Sequence, residues 1–284
     1  MAANNPRVVP IATADREAPA PRQQQIIETT LSKALKLRLE MVHEQRGIAV
    51  FKGPWGIGKT TSITAFAQEN ECVVTVVKVE PGSTKKGVTA IGAMQLVVEA
   101  LREHDDSRIL RPSLSNAYWT MRKMVCDQLA QLSEPDEYEF ARHTIIFDEA
   151  QYLSREAIEM LRYWNDADRT VTPFPVGLVF VGNDDFSLRE DGRGDSVISG
   201  AVRSRALFIE SFDYDDLTAE DIVTFVRSRG VDDPGAISLI ADYYTQPRVR
   251  RDLRQLERLL VRLNLLAGEG PVTQSIARDA LAIG

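Results

Sequence analysis

Cysteine is almost missing from this chain: 284 residues carry only Cys72 and Cys126. Two distant thiols exclude a disulfide framework and a cysteine metal cluster, and they suit reduced core positions in a cytosolic protein. Histidine is nearly as scarce. His43, His104 and His143 share no ligand spacing, so no imidazole-held metal is expected. Long apolar runs are absent too. None approaches the roughly 20 residues that cross a bilayer, and the polar, Pro- and Ala-rich N-terminus is unlike a secretory signal. No membrane partner is expected, and the expected location is the cytoplasm. An excess of positive charge is also lacking: Lys and Arg number 34 against 41 Asp and Glu, a net charge of −7. That excludes a uniformly basic coat for nucleic acid. It leaves room for a local basic stripe, because charges more than about 10 Å from a phosphate are screened at ordinary salt. The remainder is ordinary for a globular chain, 44% hydrophobic and 26% charged. The length suffices for one sizeable α/β domain and a small companion.

Along the chain, residues 1–22 hold Pro6, Pro10, Pro19 and Pro21 among few large apolar side chains, and a flexible arm is expected there. Residues 23–46 carry Ile26, Ile27, Leu31, Ala34, Leu35, Leu37 and Met41 at helical spacing. Short apolar or β-branched runs then alternate with helical patterns. Strands are expected at 48–52, 72–79, 144–147, 176–181 and 206–209, with helices at 59–69, 88–103, 115–132 and 154–166. This alternation predicts an α/β fold, a parallel sheet covered by helices on both faces. After about residue 212 the strand patterns stop. Helices are expected at 218–229, 235–244, 249–266 and 273–282, a small all-helical C-terminal domain. The domain reading is therefore an arm (1–22), a nucleotide-binding domain (23–212) and a helical lid (213–284).

The motif with most chemical content is Gly53-Pro54-Trp55-Gly56-Ile57-Gly58-Lys59-Thr60-Thr61. It follows the apolar run Ile48-Ala49-Val50-Phe51 and opens into a helical pattern, the context a phosphate-binding loop requires. Glycines let backbone N–H groups turn inward around phosphate oxygens, and the helix N-terminus adds partial positive charge. Lys59 would meet the β- and γ-phosphates of ATP, and the Thr60 hydroxyl would meet Mg²⁺.

A second constellation starts with Thr144-Ile145-Ile146-Phe147-Asp148-Glu149, an apolar strand ending in two acids. In a phosphate-loop fold this strand is expected beside the first, bringing Asp148 to the metal at Thr60 and Glu149 to the attacking water as general base. Two acids closing a strand could also simply cap the following helix. Asn183 ends another strand, at the sheet edge where ligands bind, and its amide could orient water and touch the γ-phosphate. It is equally good turn chemistry in Gly-Asn-Asp-Asp. Arg203 and Arg205 precede the fifth strand, where an arginine can reach the γ-phosphate of a neighbouring subunit, with Arg205 favoured.

Phosphate loop, Asp-Glu strand, asparagine, Ser-Arg before the fifth strand and helical lid together resemble the AAA+ ATPase family over residues 25–284. The segment Arg251-Asp252-Leu253-Arg254-Gln255-Leu256-Glu257 is similar to that family's second-sensor helix, which implies a γ-phosphate arginine at Arg254, with Arg251 next. Phe-Asp-Glu-Ala-Gln-Tyr-Leu and Phe-Val-Gly-Asn resemble the target-selection ATPases of transposons, the MuB/TnsC/TniB group. No second RecA-like domain is expected with Asp-Glu-Ala-Gln, nor a winged helix after the lid pattern. No separate N-terminal helix-turn-helix is expected either, so the resemblance is nearer the short TnsC-type form.

The resemblance implies an ATPase that assembles on duplex DNA as a ring or helical filament, recruits a transposase and disassembles on hydrolysis. A target-selector protein is a further implied partner, and a bacterial or phage origin is implied too. Lys85 and Lys86 are the first candidates for backbone DNA contact. Arg102, Thr120, Arg122 and Lys123 form a looser set, together with Arg108 and Arg111 and near Tyr118 and Trp119. No base-reading motif is visible. The alternative is a helicase-loader or adaptor ATPase acting mainly on a protein partner. Whether Trp55 packs on a base or on a neighbouring subunit is left open by the sequence.

Overall fold

The computed structural model describes residues 26–81, 87–103, 125, 143–165, 176–186 and 197–283, the side chains of Cys72, Arg102 and Glu103 excepted. In chain order the elements are α1 (Thr30–Gln45), β1 (Ile48–Lys52), α2 (Lys59–Glu69), β2 (Val74–Lys78), α3 (Ala90–Glu103), β3 (Thr144–Asp148), α4 (Arg155–Arg162), β4 (Gly177–Gly182), α5 (Gly200–Arg205) and β5 (Ala206–Ser211). Four helices follow: α6 (Ala219–Ser228), α7 (Pro234–Tyr244), α8 (Leu253–Ala267) and α9 (Gln274–Ala282).

All strand pairings are parallel, in the order β2-β3-β4-β1-β5. This is the AAA+ phosphate-loop fold, a five-stranded parallel sheet between helices with C-terminal helices appended. It corrects the expectation that β3 lies beside β1, because β4 pairs with both and separates them.

The period-two alternation of strand side chains builds two cores from one sheet. Ile48, Val50, Ile145, Phe147, Leu178 and Phe180 face α3 and α4, where they meet Met94, Val98, Ile158 and Trp164. Ala49, Phe51, Ile146, Val179 and Val181 face α1 and α2, meeting Leu35, Leu39, Ile63 and Phe66. A strand buried on both faces is apolar along most of its length, which is why β1, β3 and β4 read as nearly continuous apolar runs. Beyond β5 the helices α6–α9 bury their own apolar stripes, among them Ile222, Ile240, Leu256, Leu260 and Ala277. The boundary expected at 212 falls between β5 and the short 3-10 turn Tyr214–Asp216.

Two helices begin later than their apolar spacing suggests. The first starts at Thr30, since Thr29 and Ser32 cap it reciprocally. A carboxylate from α6 adds to that cap: Asp221 accepts from the Thr30 N–H at 2.8 Å and from the Thr218 N–H at 2.8 Å. Ile26 and Ile27 therefore lie ahead of α1, not on its face. Likewise α8 starts at Leu253, because Asp252 accepts from the N–H groups of Arg254 and Gln255. Among the described residues no helix is long and apolar enough to cross a membrane.

Candidate functional site

The loop from Gly53 to Gly58 joins β1 to α2 at the C-terminal edge of the sheet. Gly56 and Gly58 adopt φ of 82° and 98°, left-handed backbone that residues with a Cβ rarely take. No side chain caps α2, so its N-terminus opens onto the cavity described below. Lys59 folds back over the loop, its Nζ donating to the carbonyls of Gly53 at 2.7 Å and Pro54 at 2.8 Å. Burial lowers the pKa of this ammonium, against the opposing pull of Glu149 and Asp148. Thr60 Oγ1 donates to Asp148 Oδ2 at 2.9 Å. Although β4 intervenes in the sheet, the acid still reaches the loop. Asp148 is buried and its carboxyl pKa is raised, first by burial and against the bond from Thr60.

This site thus holds an ammonium and a carboxylate that burial drives toward their neutral forms. A phosphate anion at Lys59 and a divalent cation at Thr60 and Asp148 would offset both costs. The donors are hard oxygens, as Mg²⁺ prefers. Among the described residues no group of three His, Cys, Asp or Glu could cage a metal.

Glu149 follows in the left-handed region, φ 58°, with its N–H donating to Asp148 Oδ1 at 3.0 Å. Asn183 closes β4 and is buried, its Oδ1 accepting from the Asp185 N–H at 3.0 Å. Lys59, Thr60, Asp148, Glu149 and Asn183 all line one cavity of about 480 Å³. Gly56, Gly58 and Thr61 line it as well, and Trp55 is 55% exposed at its rim. Ile57 turns into the core beneath the loop.

The opposite wall comes from before α1 and from the C-terminal helices: Ile26, Ile27, Phe225, Leu253 and Arg254. Helix α8 and the 3-10 turn ahead of α6 are bonded directly to the loop. The Leu253 N–H donates to the Gly56 carbonyl at 2.9 Å, and the Tyr214 hydroxyl donates to the Trp55 carbonyl at 3.2 Å. Arg254 faces the cavity, close enough to Lys59 to add to the lowering of its pKa. Arg251 does not line it. Its guanidinium donates to the carbonyls of Leu217 at 2.7 Å and Asp215 at 3.2 Å. Arg203 and Arg205 also lie off the cavity, exposed at the end of α5, where they donate to the carbonyls of Ile198 and Ala201.

Of the DNA candidates, Lys85, Lys86, Thr120, Arg122 and Lys123 lie outside the described residues. Arg102 lies in α3 and its side chain is outside them too. Sequence reasoning missed the apolar wall of Ile26, Ile27 and Phe225, the Arg229–Glu257 ion pair beside it (3.1 Å), and Gln151. Gln151 stood inside a motif already singled out. A polar residue two positions after a strand-end acid, in a segment too short for a helix, was the available signal.

A family model described as an AAA domain matches residues 42–189. No curated protein sequence matches the chain. Among solved structures, the chain is similar to the RuvB Holliday junction branch migration motor of Thermotoga maritima. The match has a TM-score of 0.52 and 17% identity, over 90% of this chain and 70% of that one. Two point variants of the same protein match alike, each with a TM-score of 0.52, at 17% and 18% identity over 89% and 91% of this chain and 70% of theirs.

Proposed function

We infer a function from one premise: this chain belongs to the AAA domain family. The reading is an ATPase that regulates DNA transposition by assembling on target DNA with ATP and leaving it on hydrolysis. The observation that carries the hydrolytic part is the convergence of Lys59, Thr60, Asp148, Glu149 and Asn183 on one cavity. Lys59 exchanges its two loop carbonyls for the β- and γ-phosphates. Mg²⁺, held by Thr60 and Asp148, would neutralise charge on those phosphates. Asn183 orients a water, and Glu149 takes its proton as the oxygen bonds to the γ-phosphorus and the bond to ADP breaks. Arg254 reaches the phosphates from the lid, the domain expected from residue 213 on. Ile26, Ile27 and Phe225 offer the base an apolar wall. Arg205, with Arg203 beside it, completes the site of an adjacent subunit.

Support for the DNA partner comes from two sources. The Phe147–Leu153 and Phe180–Asn183 runs resemble transposon target-selection ATPases, and the similar solved structure is a Holliday junction branch migration motor. The expected contacts are to backbone phosphates through Lys85, Lys86 and the looser set Arg102, Thr120, Arg122 and Lys123. Transposase and a target selector are the protein partners, and the cytoplasm is the location. Head-to-tail stacking gives a ring if it closes and a filament if it does not.

Electron microscopy with duplex DNA and a slowly hydrolysed ATP analogue tests this reading. Wild type should form ordered rings or filaments on DNA, Lys59→Ala should form none, and Glu149→Gln should be trapped in them with ATP itself. Weak DNA binding together with nucleotide-dependent pairing to a hexameric helicase would replace this reading with the loader alternative.

A further inference from the structure

We propose that Gln151 is a positioning residue that holds the Glu149 carboxylate in the frame of Asn183, so that base and amide address the same water. The proposal rests on the hydrolytic reading above and deepens it. Gln151 lies in the 3-10 turn Ala150–Tyr152, directly after the strand that carries both acids. Its side chain is buried, at 5% exposure. Its Nε2 donates to Glu149 Oε2, and its Oε1 accepts from the Asn183 N–H at 3.2 Å. One carboxamide therefore joins the end of β3 to the end of β4 through the two residues whose separation sets the chemistry.

Several observations make this a held position. The turn is closed by the Tyr152 N–H on the Glu149 carbonyl at 3.1 Å and the Leu153 N–H on the Ala150 carbonyl at 3.0 Å. Val88 braces it from outside: its N–H donates to the Tyr152 carbonyl at 2.7 Å, and its own carbonyl accepts from the Ser154 N–H at 2.9 Å. On the β4 side space is exhausted. A Cβ at Gly182 would lie 3.0 Å from Gln151 Oε1 and 2.9 Å from the Phe186 Cβ. Glu149 itself sits at φ 58°, a conformation a non-glycine residue keeps only where its surroundings impose it.

The chemistry favours an amide here. A neutral donor fixes one carboxylate oxygen without cancelling its charge, and the other oxygen is left for water. The acceptor end cannot exchange places with the donor end, because the carboxylate offers no proton and the backbone N–H offers no lone pair. Glutamine thus has one orientation, and it fixes the place of Glu149 Oε2. Loosening a reacting group by about 1 Å costs on the order of a hundredfold in rate. Loss of this single tether is expected to cost about tenfold or more in kcat.

The test is steady-state ATP hydrolysis and fluorescent-nucleotide binding by full-length wild type, Gln151→Met and Gln151→Leu, each also in the Glu149→Gln background. Both apolar replacements approximate the buried volume and delete the tether. The expected result is a fall in kcat of about tenfold or more, with KM and nucleotide affinity within about threefold. In the Glu149→Gln background the same replacements should change the residual rate by less than about twofold, because the group they position is gone. Wild-type kcat in both single variants overturns the proposal, and so does an equal loss in the two backgrounds. Wild-type hydrolysis by Glu149→Gln alone would instead overturn the base assignment on which the proposal stands.

Discussion

Replacing Gly56 by alanine should loosen the joint between the phosphate loop and the C-terminal helices by a calculable amount. Gly56 has φ 82°, and holding an L residue in left-handed backbone costs about 1–2 kcal/mol. The added Cβ would also overlap the Asp252 carboxylate, whose Cγ lies 2.6 Å from its ideal position. Asp252 can swing away only by releasing the N–H groups of Arg254, at 2.8 Å, and Gln255, at 3.4 Å. That cap contributes about 1 kcal/mol. The total cost is about 2–3 kcal/mol, a large share of a typical stability of about 5–15 kcal/mol. Two companions separate the contributions by denaturant unfolding. Gly230→Ala, at φ 85° with no atom within 4 Å of its added Cβ, should show the backbone cost alone. Asp252→Ala should show the cap alone, and the double variant Gly56→Ala with Asp252→Ala should be no worse than Gly56→Ala. Additive losses in the double variant would refute the reasoning, since the cap would then have survived the alanine.

Two further outcomes follow from the geometry. Arg254→Ala should weaken ATP binding and hydrolysis by about tenfold while leaving stability nearly unchanged. Arg251→Ala should do the reverse, costing about 1–3 kcal/mol through its lost bonds to the Leu217 and Asp215 carbonyls, as unfolding and binding titrations would show. At high pH, Tyr244 should govern part of the stability. Burial, then Tyr243, raises its phenol pKa to about 12. The folded state therefore prefers the neutral phenol. The contribution is fully present below pH ~10 and lost as pH rises toward about 12, by up to about 2–3 kcal/mol. Tyr244→Phe should flatten that decline in an unfolding series.

Much of this was legible because strands buried on both faces carry a simple signal. Runs such as Ile48–Phe51 and Thr144–Phe147 can satisfy neither an exposed face nor an amphipathic helix, and both appear as central strands. The phosphate loop was legible for a different reason: its chemistry is local, and glycine spacing reports backbone directly. What escaped depends on partners far apart in sequence. Ile26 and Ile27 share the helical spacing of α1, but Asp221, 191 residues from Thr30, helps cap the helix after them and leaves them on the cavity wall. The sheet order escaped because apolar runs reveal that strands pair, not which neighbour each takes. The distinction between Arg254 and Arg251 was only a ranking in the sequence. Packing separates them, as one residue lies in the first turn of the helix at the cavity and the other ties down the segment before it.

The proposed assembly requires a triphosphate shared between two subunits, with Lys59 on one side and Arg205 on the other. Mixing two inactive proteins tests it most directly. On this reading Lys59→Ala would retain the arginine but lose nucleotide, and Arg205→Ala would hold nucleotide but leave its neighbour's site incomplete. Combined on duplex DNA, the pair should recover ATP hydrolysis well above the sum of the two alone, because some interfaces then join an intact loop to an intact arginine. A mixture no more active than that sum, or an Arg205→Ala protein that is fully active by itself, would contradict the claim.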